Sequence, residues 1–342
     1  MQRVCVIGAG VIGSLYAAHL ARVADVSVLT RRAEHAWALN EEGLRVSGKH
    51  EFVARPFATD DPAELPDFDL GIVATKALGV EDAAVRLAGR APGATIMTIQ
   101  NGLGLEEVVR RHGDWKIISA VTFMSGRRHG DAHVEYELDT ATWMGPYAGT
   151  QTSFEVVEEA RILLDRSGLK AEAFPDLLPA QWSKLIFNAT VNTVAALTGL
   201  AHVALFAKRD EPSDLGHLVH ALMEEGKRVA AAAGVDLYED PWEMNVLAVR
   251  RGESQKSDYA HLPSMLEDVL AKRPTEVDFI TGALVREAKR VGVPVPLHET
   301  MHRLVKAKEA SWSGRAGGLA PERAEAGGGR DVQGGAGVVG EA

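Results

Sequence analysis

The chain has a single cysteine, Cys5, among its 342 residues. That excludes an intrachain disulfide and a zinc site built on cysteines. Positive charge is in deficit, with 37 Lys and Arg against 47 Asp and Glu and a net charge of -10. A nucleic-acid-binding surface would show as a basic domain, so no nucleic-acid partner is expected. Long apolar runs are missing too. The uncharged run Val4 to Ala18 is shorter than the roughly 20 residues that a membrane span needs. Only Arg3 precedes it as a basic flank and glycines interrupt it, so it reads neither as a span nor as a signal peptide. No membrane partner and a cytoplasmic location are the expectation. There is no internal repeat and nothing like HExxH. His217 and His220, with Glu224, are read as surface residues and no metal is expected.

What is present begins at the first residues. Arg3-Val4-Cys5-Val6-Ile7 is a strand pattern, and Gly8-Ala9-Gly10-Val11-Ile12-Gly13 follows it directly. This is GxGxxG at a strand-to-helix turn, the fingerprint of a dinucleotide site. Gly8 serves the tight turn, Gly10 lets backbone approach a pyrophosphate, and Gly13 lets helix pack on strand. The phosphates belong at the helix N-terminus. A second strand pattern, Val26-Ser27-Val28-Leu29-Thr30, ends in Arg31-Arg32 where an NAD-binding chain would place an acid for the ribose hydroxyls. A guanidinium cannot accept those bonds but can hold a 2′-phosphate, so NADP(H) is the expected cofactor, with Arg31 as the first contact.

With 46% hydrophobic residues the chain can fill two cores. A helix is read over Ala33 to Glu42, ending at Gly43, then strands around Leu44-Val46, Glu51-Ala54, Phe68-Thr75 and Ala94-Ile99, with a helix from Val80 to Leu87 between the last two. Such alternation predicts a parallel, doubly wound sheet. Lys76 and Asn101 then stand at carboxyl ends of strands, facing the ligand crevice. Strands fill Lys116 to Tyr147, with turns at Arg127-Gly130 and Gly145-Pro146, and a helix spans Ser153 to Leu164. The boundary is placed near Pro175: a Rossmann-type dinucleotide-binding domain over 1–175, then an all-α domain over 176–312. The latter has helices from Ala180, Leu215, Pro241, Thr275 and Leu297. Beyond Ser313 the composition is Gly, Ala, Glu and Arg, and residues 313–342 are read as a disordered tail.

The second domain carries its own constellation. Lys184, Asn188 and Asn192 lie at i, i+4 and i+8, on one face of a helix. A polar stripe among apolar residues must either face water or line a site, because unpaired burial costs several kcal/mol. Further on, Ser264-Met265-Leu266-Glu267-Asp268 precedes Arg273-Pro274-Thr275-Glu276-Val277-Asp278. Thr275 with Asp278 has the look of a capping box, which leaves Glu276 either a site residue or an acid complementing a helix dipole.

The chain resembles the ketopantoate reductases over about residues 3 to 310. The likeness rests on the Gly8–Gly13 motif, Thr75-Lys76-Ala77, Gln100-Asn101-Gly102-Leu103-Gly104, the Lys184/Asn188/Asn192 stripe and the two segments around Ser264 and Glu276. It implies NADPH-dependent reduction of a 2-oxo acid, 2-dehydropantoate, to pantoate. Lys184 would be the catalytic lysine and Glu276 would complete the catalytic and cofactor site. Asn188, Asn192 and Ser264 would contact substrate, Asn101 would lie near nicotinamide and substrate, and Arg31 with Lys76 would hold the 2′-phosphate. His261 and Pro263 depart from the family pattern ahead of Ser264. A homodimer is compatible with this reading, and the sequence does not fix the oligomeric state.

Overall fold

Four consecutive apolar residues, Val4 to Ile7, are buried because both faces of their strand are covered. Side chains alternate across a strand. Val4 and Val6 accordingly join one core cluster, Cys5 and Ile7 the one on the other side. Burial pushes the Cys5 thiol up to about 12, leaving it an inert core residue.

The computed structural model describes residues 1–201, 213–244 and 262–312. His261 and the tail expected over 313–342 lie outside them. The chain forms β1 (Arg3–Ile7), α1 (Val11–Leu20), β2 (Asp25–Leu29), α2 (Ala33–Glu42), β3 (Leu44–Gly48), β4 (Phe52–Ala54) and β5 (Phe57–Thr59). Then come β6 (Leu70–Val73), α3 (Val80–Leu87), β7 (Thr95–Thr98), α4 (Leu105–Arg110) and β8 (Lys116–Thr122). The first domain ends with β9 (Ser125–Gly130), β10 (His133–Leu138), β11 (Thr142–Pro146), α5 (Phe154–Ser167) and β12 (Ala171–Ala173).

Eight strands make one sheet in the order β12-β11-β8-β7-β6-β1-β2-β5. The run from β8 to β5 is parallel, and β11 joins β8 antiparallel. The order reverses between β1 and β6, which opens the crevice at their carboxyl ends where dinucleotides bind in such sheets. A second sheet, β4-β3-β10-β9, packs Val46, Val134 and Tyr136 into the cluster that holds Leu15 and Tyr16 of α1. Each such fully buried large side chain contributes about 1.5–3 kcal/mol.

The expected turn at Arg127-Gly130 is instead strand β9, and the chain reverses at Asp131-Ala132. Arg127 to Gly130 are exposed at the edge of the small sheet, so their polarity reflects solvent and not a turn.

The second domain is helical: α6 (Leu178–Thr198), α7 (Asp214–Ala232), α8 (Ser264–Leu270), α9 (Thr281–Val291) and α10 (Pro296–Trp312). Nearly all of α6 is buried, with the other four helices packed around it. The helix expected from Thr275 starts only at Thr281. Thr275 does not cap it: its backbone N–H and its hydroxyl donate to Glu309 Oε1 at 2.7 and 2.6 Å. Asp278 pairs with His302 and Lys306 of α10. No helix among the described residues is long and apolar enough to cross a membrane. His217 and His220 are exposed on α7.

Candidate active site

Between the two domains lies a cavity of about 2010 Å³, lined by the glycine turn, the ends of β6 and β7, and α6 and α8. One ordinary ligand pocket takes about 300–1,000 Å³. The cleft therefore has room for a dinucleotide and a second molecule.

The three glycines have distinct roles. Gly8 adopts φ +100°, and a Cβ there would lie 2.9 Å from Thr75 Cγ2. A Cβ on Gly13 would stand 1.9 Å from Gly8 O, so the close packing of α1 on β1 depends on its absence. Around Gly10 a Cβ would meet nothing within 4 Å. Gly10 is also the N-cap of α1, with no side chain capping it, so the first N–H groups of the helix are left for an anion. Ala9, Val11 and Ile12 complete the lining of this turn.

The two arginines after β2 divide as expected. Arg32 forks onto Asp131 at 2.7 and 2.8 Å. Arg31 is exposed, lines the cavity, and has no hydrogen-bond or ion-pair partner among the described residues. It is the cation left for a 2′-phosphate. These features fit NADP(H). Lys76, expected beside Arg31, has a different partner: its ammonium is paired with Asp268 of α8. Asp268, with a side chain only 2% exposed, also receives Arg273 Nε at 3.0 Å and Nη2 at 2.9 Å.

Lys184, Asn188 and Asn192 all reach the cavity from α6. The surface-stripe alternative is thereby excluded, since Lys184 and Asn192 are each 4% exposed. Lys184 Nζ donates to Thr122 O, at the end of β8, and sits 4.8 Å from the centre of the Phe123 ring. Burial pulls its pKa down to about 7, and the Glu276 carboxylate works in the opposite direction. Glu276, also buried, accepts from the Ala77 N–H at 2.7 Å. Burial raises its pKa, against the pull of that N–H and of Lys76 and Lys184. Asn188 Nδ2 donates to Asn101 Oδ1 at 3.3 Å. Asn192 and Ser264, the first residue of α8 after Pro263, line the cavity and have no side-chain partner among the described residues.

Gly102, at φ +109°, brings the loop after β7 against the second domain, where a Cβ would lie 2.2 Å from Phe279 O. That approach holds Asn101 beside Asn188. Sequence reasoning missed Thr122, Phe123 and Trp143 on the cavity wall and gave Asp268 no role. Asp268 stands inside a quoted motif and could have been singled out as a lone acid on an apolar segment. The others carry no local signal.

The family model for ketopantoate reductase PanE/ApbA matches residues 4–149, and that for its C-terminal domain matches 176–309. The chain belongs to the ketopantoate reductase family. As such it is an NADP-dependent oxidoreductase. A 2-dehydropantoate 2-reductase of Pyrococcus horikoshii is 29% identical to this reductase over 314 residues, covering 92% of this chain and 99% of the relative. The crystal structure of a 2-dehydropantoate 2-reductase from Methylococcus capsulatus has 29% identity and a TM-score of 0.74, covering 91% and 98%. A D-mandelate dehydrogenase in ternary complex with NADH and anilino(oxo)acetate shares the fold at TM-score 0.80 and 22% identity, covering 91% and 100%.

Proposed function

We propose that this reductase converts 2-dehydropantoate to (R)-pantoate with NADPH, a step toward pantothenate and coenzyme A. The observation that carries the reading is Lys184, buried at the floor of the interdomain cleft with unpartnered Asn192 and Ser264 on the surrounding wall. Bound NADPH supplies a hydride for the C2 carbonyl of the acid.

This chain's residues do the rest. The glycine turn receives the pyrophosphate and Arg31 the 2′-phosphate. Lys184 stands to give its proton to the oxygen that gains negative charge, a task suited to a group titrating near neutrality. Glu276 favours the charged lysine. Asn188, Asn192 and Ser264 hold carboxylate and hydroxyl groups without adding net charge, and Asn101 braces Asn188. We assign residues 1–175 to cofactor binding and 176–312 to substrate and proton transfer. With a net charge of -10 and its one cysteine buried, the protein fits a cytoplasmic enzyme acting without nucleic acid.

A protein that only senses NADP(H) would gain nothing from a buried lysine that costs it stability. The test is a steady-state assay following NADPH with a panel of 2-oxo acids, 2-dehydropantoate among them. Saturable turnover is expected, with 2-dehydropantoate a good substrate. Absence of turnover on the whole panel would refute the reading.

A further inference from the structure

An acid whose carbonyl lies at Lys184 Nζ has its side chain close to the Phe123 ring, because that ring is centred 4.8 Å from the same nitrogen. The wall there is an aromatic surface and not a polar one. Trp143 meets Phe123 edge to face at 5.5 Å and is backed by Phe174 at 6.0 Å and Tyr238 at 5.3 Å. Phe174 and Tyr238 in turn meet at 5.2 Å. Phe123 and Trp143 are only half-buried and both line the cavity, with Phe187 and Leu138 beside them. The polar groups of the cleft stand on α6 and α8. A branched side chain ending in a hydroxyl uses little of such a wall, whereas a flat ring matches it, since aromatic rings favour offset and edge-to-face contact.

We propose that the cleft also takes and reduces 2-oxo acids bearing an aryl group, with Phe123 and Trp143 as the surface that holds the ring. The proposal rests on the reductase reading for its chemistry: the C2=O bond becomes CH–OH, the reducing equivalent comes from NADPH, and the oxygen takes its proton from Lys184. The volume of the cleft, about 2010 Å³, accommodates the larger acid beside a dinucleotide.

Phenylpyruvate and 2-oxobutanoate, an aryl and a small acid with the same reacting end, are the probes. Calorimetric titration of each into the enzyme with NADP⁺ reads binding without turnover, and steady-state assays with NADPH read kcat and KM. Wild-type enzyme is expected to bind phenylpyruvate the tighter by at least tenfold and to reduce both. Trp143→Leu should weaken phenylpyruvate by about tenfold relative to 2-oxobutanoate, mostly in KM, and Trp143→Phe should restore most of the difference. Should the leucine variant fail to fold, a loss confined to phenylpyruvate in Trp143→Phe supports the assignment and equal losses overturn it. A wild-type enzyme that reduces 2-dehydropantoate but neither binds nor reduces phenylpyruvate overturns the proposal alone. Phenylpyruvate binding that depends on Trp143, without turnover of any 2-oxo acid, overturns the reductase reading and leaves the aryl surface standing.

Discussion

Lys184→Met separates a functional lysine from a structural one, because the two roles predict opposite effects on stability. Burial takes the lysine from its ordinary 10.5 down to about 7. At 1.36 kcal/mol per pH unit that difference is about 5 kcal/mol against the charged form. Below about pH 7 the ammonium is charged in both folded and unfolded chains, and the folded state carries the full desolvation cost. Between about 7 and 10.5 the unfolded chain binds a proton that the folded one lacks, so folded stability rises with pH; above that window the cost is gone. Methionine removes the charge but leaves Thr122 O without its donor, a loss of about 1–3 kcal/mol. The net gain at pH 6 is about 2–4 kcal/mol, or on the order of 5–10 °C in melting temperature. At pH 9 the wild-type cost has fallen by about 3 kcal/mol and the gain should vanish. Turnover should meanwhile drop by roughly 10²–10⁴, the range for a positioned acid. Scanning calorimetry at the two pH values, with NADPH assays on the same preparations, reads both. A variant that is less stable at pH 6, or that turns over at the wild-type rate, refutes the reasoning.

Arg31→Ala should weaken NADPH by about 1.5–3 kcal/mol while leaving NADH nearly unchanged; direct titration decides, and a wild-type preference for NADH would contradict the assignment. Gly13→Ala should lower the melting temperature sharply, since its Cβ would stand 1.9 Å from Gly8 O, whereas Gly10→Ala should melt normally and lose only dinucleotide affinity. Equal effects of the two would argue against the cradle. Asn192→Ala should raise KM more than it lowers kcat. Because the proton donor must be charged, kcat/KM should fall as pH rises through about 7, and Glu276→Gln should move that limb to lower pH, since the carboxylate favours the charged lysine. A limb unmoved in this variant would show that Glu276 does not set the charge of Lys184.

What could be read in the sequence was what a short window contains. α2 and α3 have the expected bounds because periodicity and Gly43 mark them locally. Lys184, Asn188 and Asn192 were found because one helix spaces them. β5, three residues long, is too short to show a period, and β9 was taken for a turn because a solvated edge strand is polar. Glu276 was ambiguous for a physical reason: its neighbours Thr275 and Asp278 mimic a capping box, and only their bonds to α10 show otherwise. The Lys76–Asp268 pair joins residues 192 apart, and Phe123 meets Trp143 across two strands, so neither had any local signature.

The loop after β6 ties these parts together. Thr75 packs on Gly8, Lys76 pairs with Asp268, and Ala77 donates to Glu276, so three successive residues touch the cofactor turn, the second domain and the partner of the catalytic lysine. Along the cleft the charges alternate from Lys184 through Glu276, Lys76 and Asp268 to Arg273. A buried charge left without its partner is costly, which makes separation of the domains unfavourable at this loop. It would leave Asp268 with Arg273 alone and take the Ala77 N–H from Glu276. Holding the domains together therefore keeps in place the carboxylate that favours a charged Lys184, so cofactor turn, domain contact and proton donor depend on one short loop.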